Sequence, residues 1–152
     1  MNKSNLKFYG ILIAISFGLN WIWETTQMFA YDKKPGALPG ENFIVCTLAA
    51  VIDAVVTLAI YAMLRSLLKP EGVKFYLAAA FLGAWCAVFF EWLARLFNLW
   101  AYNGKMIVIP LLETGLLPFL QLTLLVPLAI WLTRKIRKIK YLKICGGISD
   151  SD

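Results

Sequence analysis

Glu24, Asp53, Glu91 and Glu113 each stand inside a long apolar stretch of the chain. A charge at the centre of a bilayer costs at least about 2.5–3.5 kcal/mol even on lenient insertion scales, so such residues face a protein interior or a wet cavity. Carboxyl groups gathered out of water keep protons that bulk solvent would take, because desolvation and like-charge repulsion both disfavour the ionised form. The chemistry this implies is proton donation and acceptance, with Glu24 as donor and Asp53 or Glu91 as its partner or base. Histidine, the commonest general base and metal ligand, is absent. Cys46, Cys86 and Cys145 lack metal-ligand or redox spacing, and three cysteines do not make a disulfide framework. No nucleotide or flavin fingerprint occurs, so neither a metal nor a cofactor is expected.

Other polar residues keep helical step with the acids. Asn20, Glu24, Gln27 and Tyr31 fall at i, i+4, i+7 and i+11, a single stripe of one helix. Glu91, Arg95, Asn98 and Tyr102 repeat that spacing, and an offset of 71 also matches Ala30-Tyr31 to Ala101-Tyr102. The match is what a parallel duplication of one span would leave. Cys46, Asp53, Thr57 and Tyr61 lie roughly on one side of the second apolar stretch, and Gln121 follows Glu113 by two helical turns. Asn20, Trp23, Gln27, Trp92, Arg95, Asn98, Glu113 and Gln121 are the candidate substrate-binding residues. Trp21, Trp23 and Trp92 flank the acids, where they would wall a cavity or face a cation with their rings. Tyr31, Trp100 and Tyr102 suit an interfacial aromatic belt. A competing account makes Glu91 and Arg95 an i,i+4 ion pair that Glu24 joins across helices, a structural network without chemistry.

The elements that must position these residues are membrane spans. With 152 residues, 61% of them hydrophobic, and a mean hydropathy of +0.71, the chain holds more apolar surface than a soluble domain of this size can hide. We expect one all-α integral membrane domain over 1–152, a four-helix transmembrane bundle. Its spans cover about 8–31, 43–68, 75–102 and 106–133, and a basic tail runs from 134 to 152. Pro110, Pro118 and Pro127 should bend the fourth span. Pro35, Gly36, Pro39 and Gly40 make the first connection an irregular turn region.

Charge sets the orientation. With the N-terminus inside, eleven lysines and arginines flank the spans on the inner side, against Lys33, Lys34 and Lys105 outside. Both termini are therefore expected in the cytoplasm of a multi-pass protein of the bacterial inner membrane. At 1.5 Å per residue this topology puts all four acids in the outer half of the bundle. The formal net charge of +6 is concentrated at span ends, above all in the tail. That distribution points to anionic lipid headgroups and away from nucleic acid.

Two stretches carry a resemblance. Asn20-Trp21-Ile22-Trp23-Glu24 resembles the Asn-x-x-Trp-Glu motif of integral-membrane terpene cyclases of the meroterpenoid type. That likeness implies an acid role for Glu24 in protonating an isoprenoid, with Asp53 or Glu91 as the second acid. Glu91-Trp92 through Trp100-Ala101-Tyr102, Met106, Pro110, Gly115-Leu116, Pro118, Gln121 and Pro127, together with Trp23-Glu24 and Gln27-Met28, is similar to a group of small four-span bacterial membrane proteins. This second likeness implies architecture and no activity. The expected function is an intramembrane enzyme acting on an isoprenoid or other lipid by carboxylic-acid catalysis. The alternatives are a proton- or cation-coupled transporter or channel subunit, as a homo-oligomer, and an accessory membrane protein whose polar cluster is interhelical glue.

Overall fold

The computed structural model describes residues 3–32, 41–68 and 72–146. Four helices make up most of it: α1 (Lys3–Gln27), α2 (Glu41–Leu67), α3 (Val73–Leu96) and α4 (Leu116–Gly146). Each contains a segment long and apolar enough to cross a membrane. α2 runs through 27 residues without a glycine or proline. Such a segment satisfies every backbone group within itself, as hydrocarbon surroundings demand.

α3 shows how the sequence sorts its faces. Leu77, Phe81, Trp85, Phe89, Trp92 and Leu96 recur every three or four residues and are all exposed, the surface a lipid-facing helix needs. The opposite stripe is Phe75, Ala79, Gly83, Ala87, Glu91 and Ala94, all buried and mostly small. Small residues let α4 approach closely. A Cβ on Gly83 would collide with the Leu122 carbonyl oxygen, whose carbon lies 2.9 Å from that position.

α1 packs on both α2 and α4, α3 packs mainly on α4, and α2 and α3 share much less surface. Around the bundle the order is α2, α1, α4, α3. α2 and α3 meet where α2 ends and α3 begins, with the Tyr61 and Phe75 rings 6.0 Å apart. This end of the bundle is filled by Phe8, Leu12, Ile60, Leu64, Phe75, Val126 and Ile130. In lipid such packing gains no transfer energy, so dispersion and close fit hold it. The start of α1 and the basic part of α4 share this end, with the Arg137 guanidinium 5.5 Å from the Phe8 ring.

Two expected spans need correction at the opposite end. α3 stops at Leu96, six residues before Tyr102. Asn98 adopts φ 52°, with Asn98 N–H donating to Arg95 O at 3.2 Å and Leu99 N–H to Ala94 O at 2.8 Å. These are the paired bonds of a left-handed helix stop, a position that asparagine tolerates. α4 begins at Leu116, ten residues after Met106. Between them the chain forms a small antiparallel hairpin, β1 (Val108–Ile109) with β2 (Thr114–Gly115). Pro110 takes the second position of its turn, which proline favours, and Glu113 closes it at φ 49°. Pro118 sits in the first turn of α4, leaving Pro127 as the proline inside that helix. Both matched stripes outrun their helices, since α1 stops at Gln27 and α3 at Leu96.

The two matched tyrosines nevertheless meet. After α1, a 3-10 turn (Met28–Ala30) leads to Tyr31, which bridges antiparallel to Tyr102. Asp32 N–H donates to Ala101 O at 2.9 Å and Asn103 N–H to Ala30 O at 3.1 Å. Lys33, Lys34 and the side chains of Lys140 and Lys143 lie outside the described residues.

Candidate functional site

The hairpin end of the bundle is polar inside, and one amide organises it. Gln121, in the second turn of α4, is almost completely buried. Its Nε2 donates toward Asp53 Oδ2 at 2.8 Å, Glu24 Oε1 at 3.0 Å and Asn20 Oδ1 at 3.1 Å. Its Oε1 accepts from Gln27 Nε2 at 3.0 Å, and Gln27 Oε1 accepts from Trp23 Nε1 at 3.1 Å. Going deeper, Asn20 Nδ2 donates to Ser16 O at 2.9 Å, and Ser16 Oγ to Thr57 Oγ1 at 2.9 Å. Thr57 returns to α2 by donating to Asp53 O at 2.8 Å. Three helices are thus tied by a continuous polar network, and such networks are stable only when every member is satisfied.

Glu91 sits in different company. Its Oε2 accepts from the Tyr102 hydroxyl and from Trp100 Nε1 at 3.3 Å, and its Oε1 from the Tyr31 hydroxyl at 3.5 Å. Tyr102 is held in turn by Gly115 N–H, which donates to its hydroxyl at 2.8 Å. Gly115 has no room for a side chain there, since a Cβ would lie 3.1 Å from Tyr102 Cζ and 2.9 Å from Met106 Sδ. Burial first, and then the adjacent Glu91 carboxylate, push the Tyr31 and Tyr102 hydroxyls above the ordinary tyrosine range. They serve Glu91 as donors.

Glu24 and Glu91 both line one cavity of about 110 Å³, which Met28, Tyr31, Val45, Cys46, Ala49, Leu99 and Trp100 help to enclose. At roughly 30 Å³ per molecule of liquid water, it has room for three or four waters or a small polar group. Among the described residues no cation contacts Glu24, Asp53 or Glu91 through a salt bridge, and no group of acids and cysteines is arranged to hold a metal ion.

Asn20, Trp23, Glu24, Gln27, Asp53 and Gln121 come together, and Glu91 joins them across the cavity. The other candidates do not. Glu113 lies in the hairpin turn, 71% exposed, and there pairs with Arg95 at 2.9 Å. Arg95 is therefore bound to an acid outside the cluster, neither to Glu24 nor to Glu91. Asn98 is exposed at the helix stop, and Trp92 points out with the lipid-facing stripe of α3. Trp21 donates to Thr47 Oγ1 at 3.3 Å, bracing α1 against α2. Ser16 and Trp100 are network members that spacing did not pick out, while Thr57 and Tyr102 stood on the stripes of Asp53 and Glu91 without being counted among the site residues. Ser16 is one helical turn before Asn20 on the same stripe, and extending that stripe would have found it.

Compared with protein-family models, with curated proteins and with solved structures, the chain matches none.

Proposed function

We propose that this chain is a multi-pass membrane enzyme that moves protons to and from an isoprenoid or similarly apolar lipid by carboxylic-acid catalysis. We further infer, from the distribution of lysine and arginine, that both termini are cytoplasmic in a bacterial cell membrane. The observation that carries the catalytic reading is the unequal hydrogen bonding of two acids on one cavity. Glu91 receives three donors, the complement that suits a carboxylate. Glu24 is served by amides alone, by Gln27 and by the Gln121 nitrogen that it shares with Asp53 and Asn20. Paired acids in contrasting environments are the pattern of a divided acid–base role.

In this scheme Glu24 gives its proton to an electron-rich double bond or oxygen of the lipid, with Asp53 as the neighbouring acid that Gln121 holds beside it. Positive charge then develops on carbon, facing the Glu91 carboxylate. Loss of a proton from an adjacent carbon to Glu91 ends the reaction as an isomerised or cyclised product. Water in the cavity returns that proton to Glu24, so no oxidant, reductant or co-reactant is consumed. Gln27 and Asn20 set the Gln121 amide, and the ring of Trp100 shields the cation from solvent. A coupled transporter would need polar access from both ends, and the Leu12, Ile60, Val126 and Ile130 end is apolar.

The decisive variant is Glu24→Gln. It keeps size and hydrogen bonding while removing the ionisable proton. Lipid extracts of cells making the variant should lose the product seen with the wild-type chain, at unchanged protein level. Asp53→Asn should behave likewise. Full conversion by both variants, singly and combined, would overturn acid catalysis and leave the cluster as interhelical glue.

A further inference from the structure

α4 starts lower in the bundle than α3 ends. Gly83 lies level with Leu122, whose carbonyl carbon is 2.9 Å from where a Gly83 Cβ would stand. From that crossing thirteen residues of α3 lead to Leu96 and six of α4 to Leu116, about 20 Å against about 9 Å. The hairpin fills the two missing turns. Ile107 O accepts from Leu116 N–H at 2.7 Å, which fixes Ile107 at the level where α4 begins. The far end of the hairpin reaches the last turn of α3, where Glu113 pairs with Arg95 at 2.9 Å. With 24 residues α3 is about 36 Å long, while the hydrocarbon core of a bilayer is about 30 Å thick. A level two turns below the end of α3 therefore lies within the apolar layer, however the surplus is shared between the two ends.

The surface of the hairpin suits that level. Leu111 is 91% and Ile107 68% exposed, with Val108 and Leu112 exposed beside them. The cavity of Glu24 and Glu91 is lined by other residues, so these side chains face outward. They extend the exposed apolar surface of Leu96, Phe97 and Leu99. Backbone donors at membrane depth must find acceptors. Leu112 and Glu113 N–H donate to Ile109 O, Gly115 N–H to the Tyr102 hydroxyl, and Pro110 has no N–H to satisfy. The charges of Arg95 and Glu113 cancel each other.

We propose that the hairpin is a lipid-binding element, seated at the edge of the apolar layer with Ile107, Val108, Leu111 and Leu112 among the acyl chains of the leaflet at that end of the bundle. It supplies the apolar height that α4 lacks. The hairpin ends at Gly115, whose N–H holds the Tyr102 hydroxyl that donates to Glu91. The element that meets lipid is thus also the one that positions a donor of that acid. Lipid contact here requires no particular orientation of the chain and no reaction at the carboxyls.

The test uses the full chain in nanodiscs of palmitoyl-oleoyl phosphatidylcholine, with photoreactive benzoylphenylalanine in place of Leu111, Ile107, Phe81 or Lys105, one at a time. After illumination, intact-mass spectrometry gives the fraction of chains that carry one added phospholipid. Phe81 stands on the lipid-facing stripe of α3 and sets the full signal. Lys105, exposed in the polar turn before the hairpin, sets the aqueous one. Positions 111 and 107 should give the Phe81 yield and exceed Lys105 about tenfold, the ratio that a modest difference in free energy gives. Yields at the Lys105 level overturn the proposal, because the hairpin would then stand in water. A dominant adduct between two chains also overturns it, since a second copy would then cover this face. Absence of lipid on Phe81 removes the lipid-facing surface that the hairpin extends, and the proposal falls with it. Should a substitution at 107 or 111 cost the chain its helical circular dichroism, the exposed Val108 decides the matter by the same readout.

Discussion

Glu24 and Asp53 on one side, and Glu91 on the other, are buried carboxyls at the same end of the bundle, but they are supplied with hydrogen in opposite ways. The amide nitrogen of Gln121 has two hydrogens for three oxygens, those of Asp53, Glu24 and Asn20. Glu91 has three donors for two oxygens, from three residues that lie outside the helices. The difference teaches that burial alone does not assign a role to an acid. A shortage of donors suits a group that holds a proton, and a surplus suits one that has given its proton up.

The comparison breaks most violently at Gln121. Gln121→Leu removes the amide that donates to Glu24, Asp53 and Asn20, and it leaves the Gln27 amide without its acceptor in the interior. Each stranded group costs about 1–3 kcal/mol, so we expect loss of most folded protein, read by detergent-resistant yield and thermal unfolding. If the variant instead keeps the wild-type Tm, the amide is not what holds the three helices together.

A smaller effect is expected on the other side. Tyr102→Phe removes one charge-assisted donor from Glu91, worth about 1.5–3 kcal/mol, and should lower Tm while Glu91 keeps its bonds from Trp100 and Tyr31. It should also change the alkaline limb of stability. The folded-state pKa of Tyr102 is raised, so its stabilising contribution is complete below the ordinary tyrosine value and is lost as pH climbs from about 10 toward the folded value. Wild type should therefore lose stability through that window, and Tyr102→Phe should lose less. Parallel pH profiles would show that Tyr102 is no donor to Glu91.

The smallest effect belongs to the one salt bridge found among the described residues. Arg95 and Glu113 are 34% and 71% exposed, and pairs of this kind contribute about 0–1 kcal/mol. Arg95→Gln should shift Tm by little and leave lipid conversion intact. Loss of conversion would place the arginine back among the substrate contacts that its spacing first suggested.

Much of this arrangement was legible in the chain. The stripe of Asn20, Glu24 and Gln27 is a helical stripe, and Asp53 and Gln121 reach it from two other helices. Those residues lie within helices, where spacing converts directly into direction. Reading failed where helices stop. Phe97, Leu99 and Trp100 prolong the apolar run of α3, and their composition hides the turn that Asn98 makes by entering the left-handed region. Missing that turn carried Asn98 into the bundle, and missing the hairpin carried Glu113 there and left Arg95 beside the wrong acid. Tyr102, which shares the spaced stripe of Glu91, reaches it from a folded loop and not from the helix, and Trp100 reaches it from the same loop, whose path local spacing does not encode.

The Gln121 amide also bears on how the protein is made. Synthesis proceeds from the N-terminus, so α1 and α2 enter the membrane with Glu24 and Asp53 before the helix that carries Gln121 exists. During that interval the two acids lack the donor that later joins them, and they must stay wet, protonated or beside the insertion machinery. The last helix is thus the one that seals the nascent bundle. A chain cut short before residue 121 would leave two unsatisfied acids among apolar helices, a mark by which quality control could tell an unfinished protein from a finished one.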